Sequence, residues 1–161
     1  MPCKPYSTRV NVYRAIRLVM GDFASRVRVW GSWFDVLVWY LRFFTKSLFV
    51  DEWYYVPSRD DFEAMLEEWR RRLQSLRYIG DRFDCDDYAV AFKAFASEYG
   101  CWNSVGFVGG ILCVDGECVG HAWNLALVHD NGAVRVVHVE PQVGDYIEES
   151  DWSYRPQFTF M

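Results

Sequence analysis

Lysine, histidine and long uninterrupted apolar runs are all scarce in this sequence of 161 residues. Its 17 basic residues are outnumbered by 22 acidic ones, which leaves a net charge of −5. Binding to a phosphate backbone needs clustered positive charge, so we expect no nucleic-acid partner. The most apolar segment, residues 27–50, is interrupted by Asp35, Arg42 and Lys46. It lacks the roughly 20 continuous apolar residues of a membrane span. We predict a buried helix there, with contact of its aromatic face to a membrane surface as the less favoured alternative.

Targeting and linker patterns are missing as well. The start, Met1-Pro2-Cys3, is not a basic region that leads into an apolar stretch, so we expect an intracellular, cytoplasmic protein, with a viral protein in a host cell as one origin. Repeats and Gly/Ser-rich tracts do not occur, which predicts one domain over residues 1–161. Within it we distinguish a helical extension at 1–50, a catalytic-type core at 51–142 and a C-terminal segment at 143–161.

The hydrophobic pattern changes from helical spacing to strand spacing near Gly100. Apolar residues at helical spacing predict helices over residues 8–20 (with a strand over 9–18 as the alternative), 32–49, 58–80 and 84–99. Strands are predicted over residues 104–113, 118–128 and 133–140. Asp115-Gly116 and Asn131-Gly132 are dipeptides typical of hairpin turns between them. The predicted fold is therefore α+β, with a helical N-terminal half packed on an antiparallel β-sheet.

Cys85 lies just inside the start of the helix predicted over residues 84–99. The positive end of a helix and its free N–H groups favour a thiolate there, and the same groups can stabilise an oxyanion. Two considerations oppose this interpretation. Buried free cysteine is often a plain core residue, and the acidic residues around it disfavour ionisation of the thiol. Those acidic residues are Asp81, Asp84, Asp86 and Asp87.

His121 and Glu140 are predicted to meet across the second hairpin. A two-residue turn at Asn131-Gly132 places Trp123 opposite Glu140, with His121 as a diagonal neighbour. A turn at Asp130-Asn131 would place His121 directly opposite Glu140. Both registers put the two side chains on one face of the sheet, and a His–acid pair fixes the tautomer of the imidazole. His138, in the middle of a strand, is the alternative base.

Three segments together resemble the transglutaminase-like and papain-like cysteine peptidases. They are Phe83-Asp84-Cys85-Asp86-Asp87-Tyr88-Ala89, Gly120-His121-Ala122-Trp123-Asn124 and Val139-Glu140-Pro141-Gln142. The likeness is closest to the protease domain that ends certain fungal agglutinins and to its phage and viral relatives. It implies a papain-like/transglutaminase-like core with Cys85 as nucleophile, His121 as general base and Glu140 as the orienting acid. Trp53, Asn124 and Gln142 are the candidates for the oxyanion and substrate-positioning role.

Metal sites and disulfides are the remaining predictions. Some members of that family bind calcium, and Asp81, Asp84, Asp86 and Asp87 could supply oxygen ligands. Capping of the helix explains this acidic cluster more simply, so we expect no cofactor, with calcium as the alternative. A zinc site built from Cys101, Cys113, Cys118 and His121 is less favoured, because residues 118 and 121 point to opposite faces of a strand. The Asp115-Gly116 turn instead places Cys113 opposite Cys118, which predicts a disulfide.

The resemblance implies thiol-based acyl transfer by a peptidase or amidase that acts on a peptide or amide substrate. A transglutaminase, in which an amine replaces water, would use the same residues. A viral or structural binding module that retains the fold without enzymatic activity and contacts a protein partner is the third interpretation. The aromatic content of 19% suits such a binding surface.

Overall fold

The computed structural model describes residues 3–27, 32–148 and 153–161. Four helices are present in these ranges: α1 (Val12–Val27), α2 (Trp33–Lys46), α3 (Arg59–Leu73) and α4 (Cys85–Gly100). The strands are β1 (Thr8–Asn11), β2 (Trp53–Val56), β3 (Val105–Val114), β4 (Glu117–Asp130), β5 (Ala133–Glu140), β6 (Asp145–Ile147) and β7 (Tyr154–Phe160). The predicted α+β class is therefore confirmed.

Strands β3 to β7 form one antiparallel sheet in the order β6-β5-β4-β3-β7, and β1 pairs with β2 in a separate two-stranded sheet. Asn131 (φ 48°) and Gly132 (φ 79°) form the turn between β4 and β5. Positive φ at both central residues is the requirement of a type I′ hairpin turn. The pairing of Asn124 with Val139 follows from this turn, so the first of the two predicted registers is correct.

Helices cover both faces of the larger sheet. On one face α1 and α2 pack with the β1–β2 sheet against the odd-numbered side chains Trp123, Leu125 and Leu127 of β4. On the other face α3 and α4 pack against Ala126 and Val128. Burial on both faces explains why the second half of β4 is apolar at almost every position. The helices of residues 1–50 thus contribute to the same core as the sheet, and the predicted divisions at residues 50 and 142 remain predictions.

The boundaries of α1, α2 and α3 differ from the sequence-based expectation: α1 extends to Val27 and α2 ends at Lys46, where ends at residues 20 and 49 were predicted. Residues 8–11 form β1, and α1 begins at Val12 because the Asn11 side chain accepts a hydrogen bond from the Arg14 N–H at 2.9 Å. Asparagine is a favoured N-cap residue for this reason. Helix α3 ends at Leu73 and not near Gly80. Within the described ranges, none of the helices has the length and apolar character needed to cross a bilayer.

Candidate functional site at Cys85, His121 and Glu140

Helix α4 is held in place against the sheet at the point where it begins. The side-chain amide of Asn124 on β4 donates to the carbonyl of Ala89 on α4 at 2.9 Å and to the carbonyl of Gly106 on β3 at 3.0 Å. Both of its N–H bonds are thus used inside the protein, and Asn124 is fully buried. It joins three elements and has no N–H left for the predicted oxyanion role.

The His121 imidazole is paired with the Glu140 carboxylate. His121 Nε2 lies 2.7 Å from Glu140 Oε2, and both side chains are close to nine-tenths buried. The Tyr154 hydroxyl donates to the same carboxylate at 3.1 Å, and the Gln142 backbone N–H donates at 3.2 Å. Glu140 is therefore held by three groups, and the His–acid pair lies where the hairpin register places it.

Cys85 is the first residue of α4, after the N-cap Asp84. Burial raises the pKa of the Cys85 thiol, and the charges of Asp84 and Asp86 act in the same direction. The backbone N–H groups of Ala122 and Asp86 act in the opposite direction, and the net shift of the pKa is upward. In the described part of the chain no hydrogen bond joins this thiol to His121. The environment of Cys85 therefore disfavours the thiolate.

The acidic residues around Cys85 interact with one another. A side-chain hydrogen bond with Asp86 lowers the pKa of Asp84, and the same bond raises the pKa of Asp86. Ligand atoms of Asp84, Cys85 and Asp86 lie within 4.8 Å of one another. Calcium prefers an all-oxygen site, and an Asp87 oxygen already accepts the Asp84 N–H at 3.2 Å. Calcium at Asp81, Asp84, Asp86 and Asp87 remains a prediction.

The other two predicted positioning residues occupy different places. Gln142 follows β5 and contributes its backbone N–H to Glu140, as described above. Trp53 is on β2, where the guanidinium of Arg9 lies 4.7 Å from its ring centre. The structure describes no contact that joins Trp53 to Cys85 or His121. Only Gln142 is thus brought to the His121–Glu140 pair.

Four of the five cysteines form disulfides. Cys113 and Cys118 are joined across the β3–β4 turn, as the hairpin register predicts. Cys3 and Cys101, which are 98 residues apart, form a second disulfide that the sequence analysis missed. Because Cys101, Cys113 and Cys118 are all oxidised, the alternative zinc site would have no thiolates. Cys85 is the free cysteine.

A second His–acid pair lies in the core. His138 on β5 places Nε2 at 2.7 Å from a carboxylate oxygen of Asp22 on α1, and its Nδ1 accepts the Trp123 indole N–H at 2.9 Å. Burial lowers the pKa of His138. His138, the alternative base of the sequence analysis, is thus 2% exposed. Its contact with Asp22 joins α1 to the sheet. Sequence reasoning could not anticipate its partner, which is 116 residues away.

Sequence reasoning also missed an aromatic surface on the outer face of the β1–β2 sheet. Trp53 and Tyr55 alternate outward from β2, and the Tyr6 ring meets the Tyr55 ring edge-on at a centroid distance of 4.9 Å. Tyr6, Trp53 and Tyr55, which we call the aromatic platform, are 49%, 36% and 37% exposed. The strand alternation of Trp53-Tyr54-Tyr55-Val56 was the available signal.

A pocket of about 230 Å³ opens beside the aromatic platform. Lys4, Tyr6, Tyr55 and Trp102 line it together with the Cys3–Cys101 disulfide. The Trp102 indole N–H is buried and has no hydrogen-bond partner among the described residues. The Lys4 ammonium lies 3.6 Å from the ring centre of Tyr99. The pocket therefore combines flat rings with a cation, and it lies beside a buried N–H donor that no described residue uses.

Comparison with known proteins relates this chain to lectins. The family model described as "Ricin-type beta-trefoil lectin C-terminal domain" matches residues 40–160. A solved structure entitled "PSL1a-E64 complex" is similar with a TM-score of 0.59 and 21% identity, over 95% of this chain and 51% of that one. A Polyporus squamosus lectin, described as bound to the human-type influenza-binding epitope Neu5Acα2-6Galβ1-4GlcNAc, has a TM-score of 0.52 and 26% identity, over 72% of this chain and 42% of that one. No curated protein matches.

These findings correct the predicted family. The family match and the lectin neighbours contradict the resemblance to transglutaminase-like and papain-like cysteine peptidases, and with it the papain-like/transglutaminase-like core. They contradict the predicted peptidase or amidase function in the same way. That Cys85, His121 and Glu140 form a catalytic site stays a prediction that the comparisons do not test.

The chain covers part of each similar structure. It spans about half the length of the first neighbour and 42% of the second. A likeness at 21% identity shows the fold alone.

Proposed function

Since the chain belongs to the ricin-type beta-trefoil lectin C-terminal domain family, we propose that it is a non-enzymatic binding module whose ligand is a glycan. The proposal replaces a peptide or amide substrate with a sugar partner. The observation that carries it is the pocket beside the aromatic platform, which Tyr6, Tyr55 and Trp102 line with aromatic rings and Lys4 lines with a cation.

Flat aromatic rings and fixed polar groups are what a sugar site requires. The rings of Tyr6 and Tyr55 offer apolar faces that can cover the C–H faces of a pyranose. A buried N–H without a partner costs free energy, and the Trp102 N–H becomes available to an acceptor oxygen of a sugar where the ligand displaces the atoms that cover it. Lys4 lines the same pocket and would attract a carboxylate. The pocket therefore favours an acidic sugar over a neutral one.

The chemistry at Cys85 supports a module without enzymatic activity. A thiol acts as a nucleophile through its thiolate, and burial together with Asp84 and Asp86 raises the pKa of this thiol. The Glu140 carboxylate accepts three hydrogen bonds from groups of the protein itself. The His121–Glu140 pair then stabilises the junction of β4, β5 and β7.

Calorimetric titration with Neu5Acα2-6Galβ1-4GlcNAc, the glycan in a neighbour's description, tests the proposal. We expect saturable binding that is weaker for Galβ1-4GlcNAc, which lacks the acidic sugar. Tyr55→Ala and Trp102→Phe should each weaken binding about tenfold, a loss that corresponds to about 1.4 kcal/mol. Lys4→Gln should remove the preference for the acidic glycan.

Tyr78→Ala is the matched control, because Tyr78 is 62% exposed and does not line the pocket. Its affinity should equal that of the native protein. Equal affinities of Tyr55→Ala and Tyr78→Ala, or no saturable binding of either glycan, would overturn the proposal.

Incubation with E64, the compound present in the similar PSL1a complex, tests the non-enzymatic part separately. We expect the intact mass of the protein to stay unchanged at neutral pH. A stoichiometric adduct that maps to Cys85 would contradict the absence of thiol chemistry, whatever the outcome of the glycan titration.

A further inference from the structure

We propose that the pocket between α2 and β7 binds an anionic amphiphile, a molecule that joins a carboxylate or sulfate head to an apolar tail. The pocket has a volume of about 380 Å³, which lies within the roughly 300–1,000 Å³ typical of small-molecule sites. It shares no lining residue with the pocket of the aromatic platform. The two ligand proposals therefore succeed or fail independently.

Positive charge is concentrated in this pocket. Four cationic side chains line it beside the carboxylate of Asp35, although the chain as a whole carries a net charge of −5. Arg26 is paired with Asp22 at 3.4 Å, so Arg42 and Lys46 are the cations expected to attract the head of a ligand. The cations are Arg26, Arg42, Lys46 and Arg155. Charges of one sign along a cleft with apolar walls raise the local concentration of the opposite ion. An anionic head is the group that this lining favours.

The walls of the pocket are apolar and fixed. Trp39 is 8% exposed, and its indole N–H donates to the carbonyl of Pro156 on β7 at 2.8 Å. This hydrogen bond joins α2 to the edge of the sheet, so Trp39 and Pro156 form one side of the cavity. Val38 and Ile111 continue the apolar lining. Burial of a methylene group contributes about 0.8 kcal/mol, so an alkyl tail adds to the affinity of the head.

Sodium decanoate, kept below its micelle-forming concentration, is the probe for a calorimetric titration. We expect one saturable site. Decanol has a similar alkyl chain without the charge, and acetate has the charge without the tail. Each should bind at least about tenfold more weakly, because the pocket uses both parts of the ligand. Decyl sulfate should bind as decanoate does.

Substitutions in the pocket locate the bound molecule. The double variant Arg42→Gln/Lys46→Gln should weaken decanoate about tenfold or more and reduce the difference from decanol. Arg77→Gln removes an exposed arginine that does not line the pocket and should leave the affinity unchanged. Val38→Trp should fill the cavity and abolish binding, and circular dichroism of each variant checks that the fold is retained.

The exposed side of α2 is the competing place for an apolar ligand. Leu41 is 61% exposed and does not line the pocket, so Leu41→Ser should not change the affinity for decanoate. A loss in Leu41→Ser together with full binding in Val38→Trp would place the ligand on the outer face of α2 and overturn the proposal. Equal affinities for decanol and decanoate would overturn it as well.

Discussion

At the scale of single residues, the Cys85 thiol lies between two opposing influences. The backbone N–H groups of Ala122 and Asp86 favour the thiolate, whereas burial and the carboxylates of Asp84 and Asp86 raise the pKa of the thiol. We therefore expect iodoacetamide to label Cys85 with a midpoint above about pH 8.5, the value of an unperturbed thiol. Asp86→Asn should move the midpoint downward, because it removes one of the neighbouring charges. Mass spectrometry of the labelled peptide against pH measures both.

Glu98→Gln is the control for this experiment, since Glu98 lies near the opposite end of α4. Its labelling curve should coincide with that of the native protein. The other four cysteines are in disulfides, so one site is expected to react. A midpoint well below pH 8 would show that the thiol is activated and would contradict the prediction.

The buried pair of Asp22 and His138 predicts how stability depends on pH. Burial lowers the pKa of His138, so below its unfolded value of about 6.5 the unfolded chain binds more protons than the folded one. Burial by itself would raise the pKa of Asp22, but the hydrogen bond to His138 and nearby positive charge leave it lowered. The Asp22 contribution is present above about pH 3.9 and is lost as pH falls through the lower folded pKa.

We expect the free energy of unfolding to decrease as pH falls from 7 to 5, with a slope approaching about 1.4 kcal/mol per pH unit for the one proton on His138. Urea unfolding at several pH values measures the slope. His138→Gln should be less stable at pH 7 and should lose most of this slope. His129→Gln controls for the loss of a histidine, since His129 contacts Ser7 outside the buried pair. A slope that persists in His138→Gln would assign the pH dependence to other groups.

Among the candidate residues, the contact predicted from strand register, between His121 and Glu140, is present in the structure. The Asn131-Gly132 dipeptide determines the pairing of β4 with β5, and the contact of His121 with Glu140 follows from it. The environment of Cys85 depends on the burial of α4 and on the Asp84–Asp86 hydrogen bond, and neither is encoded in spacing along the chain. The role of Asn124 likewise depends on Ala89 and Gly106, which reach it only through the tertiary fold.

At the scale of secondary-structure elements, α2 separates neighbouring residues of the same type into different environments. Phe43 is 1% exposed and packs against Phe23 at a ring distance of 5.6 Å, whereas Phe44 is 60% exposed. Phe43→Ala should lower the free energy of unfolding by about 3–5 kcal/mol because it leaves a cavity. Phe44→Ala should change it by less than about 0.5 kcal/mol. Urea unfolding of the two variants gives the comparison.

Phe43→Ala and Phe44→Ala are matched variants, since both replace phenylalanine by alanine in α2 and change helix propensity equally. A similar loss in the two variants would mean that α2 does not pack on the sheet through the face that contains Phe43.

Elements with local signals were predictable, and elements that depend on distant partners were not. Ser32 and Ser58 precede α2 and α3 as N-caps, and the two hairpins carry their turn dipeptides. Strand β1 has only four residues and pairs with β2 more than forty positions later in the chain. Its apolar residues also fit the spacing of the helix that follows, so periodicity alone placed the helix start too early.

At the scale of the whole molecule, the Cys3–Cys101 disulfide joins the N-terminal segment to the end of α4. A loop of this size contributes about 4–5 kcal/mol through restriction of the unfolded chain, against about 2 kcal/mol for the short Cys113–Cys118 loop. We expect Cys3→Ser/Cys101→Ser to lower the thermal midpoint more than Cys113→Ser/Cys118→Ser. Differential scanning calorimetry of the two variants under oxidising conditions tests this order.

Reduction of the native protein provides a second check. In excess dithiothreitol the native protein and Cys3→Ser/Cys101→Ser should unfold at similar temperatures, because reduction opens the long loop as well. A larger effect of the short disulfide would contradict the dependence on loop length.

The two outer strands of the larger sheet have a consequence for the solubility of the protein. An exposed strand offers its unpaired N–H and C=O groups to other chains and can seed fibrous aggregation. Strand β6 has only three residues, and β7 contains Pro156, which has no N–H to donate. The Pro156 carbonyl already accepts a hydrogen bond from the Trp39 indole N–H, and the register between β3 and β7 shifts at Gly109/Gly110. Both edges are thereby poor templates for a further strand, which disfavours self-association into amyloid.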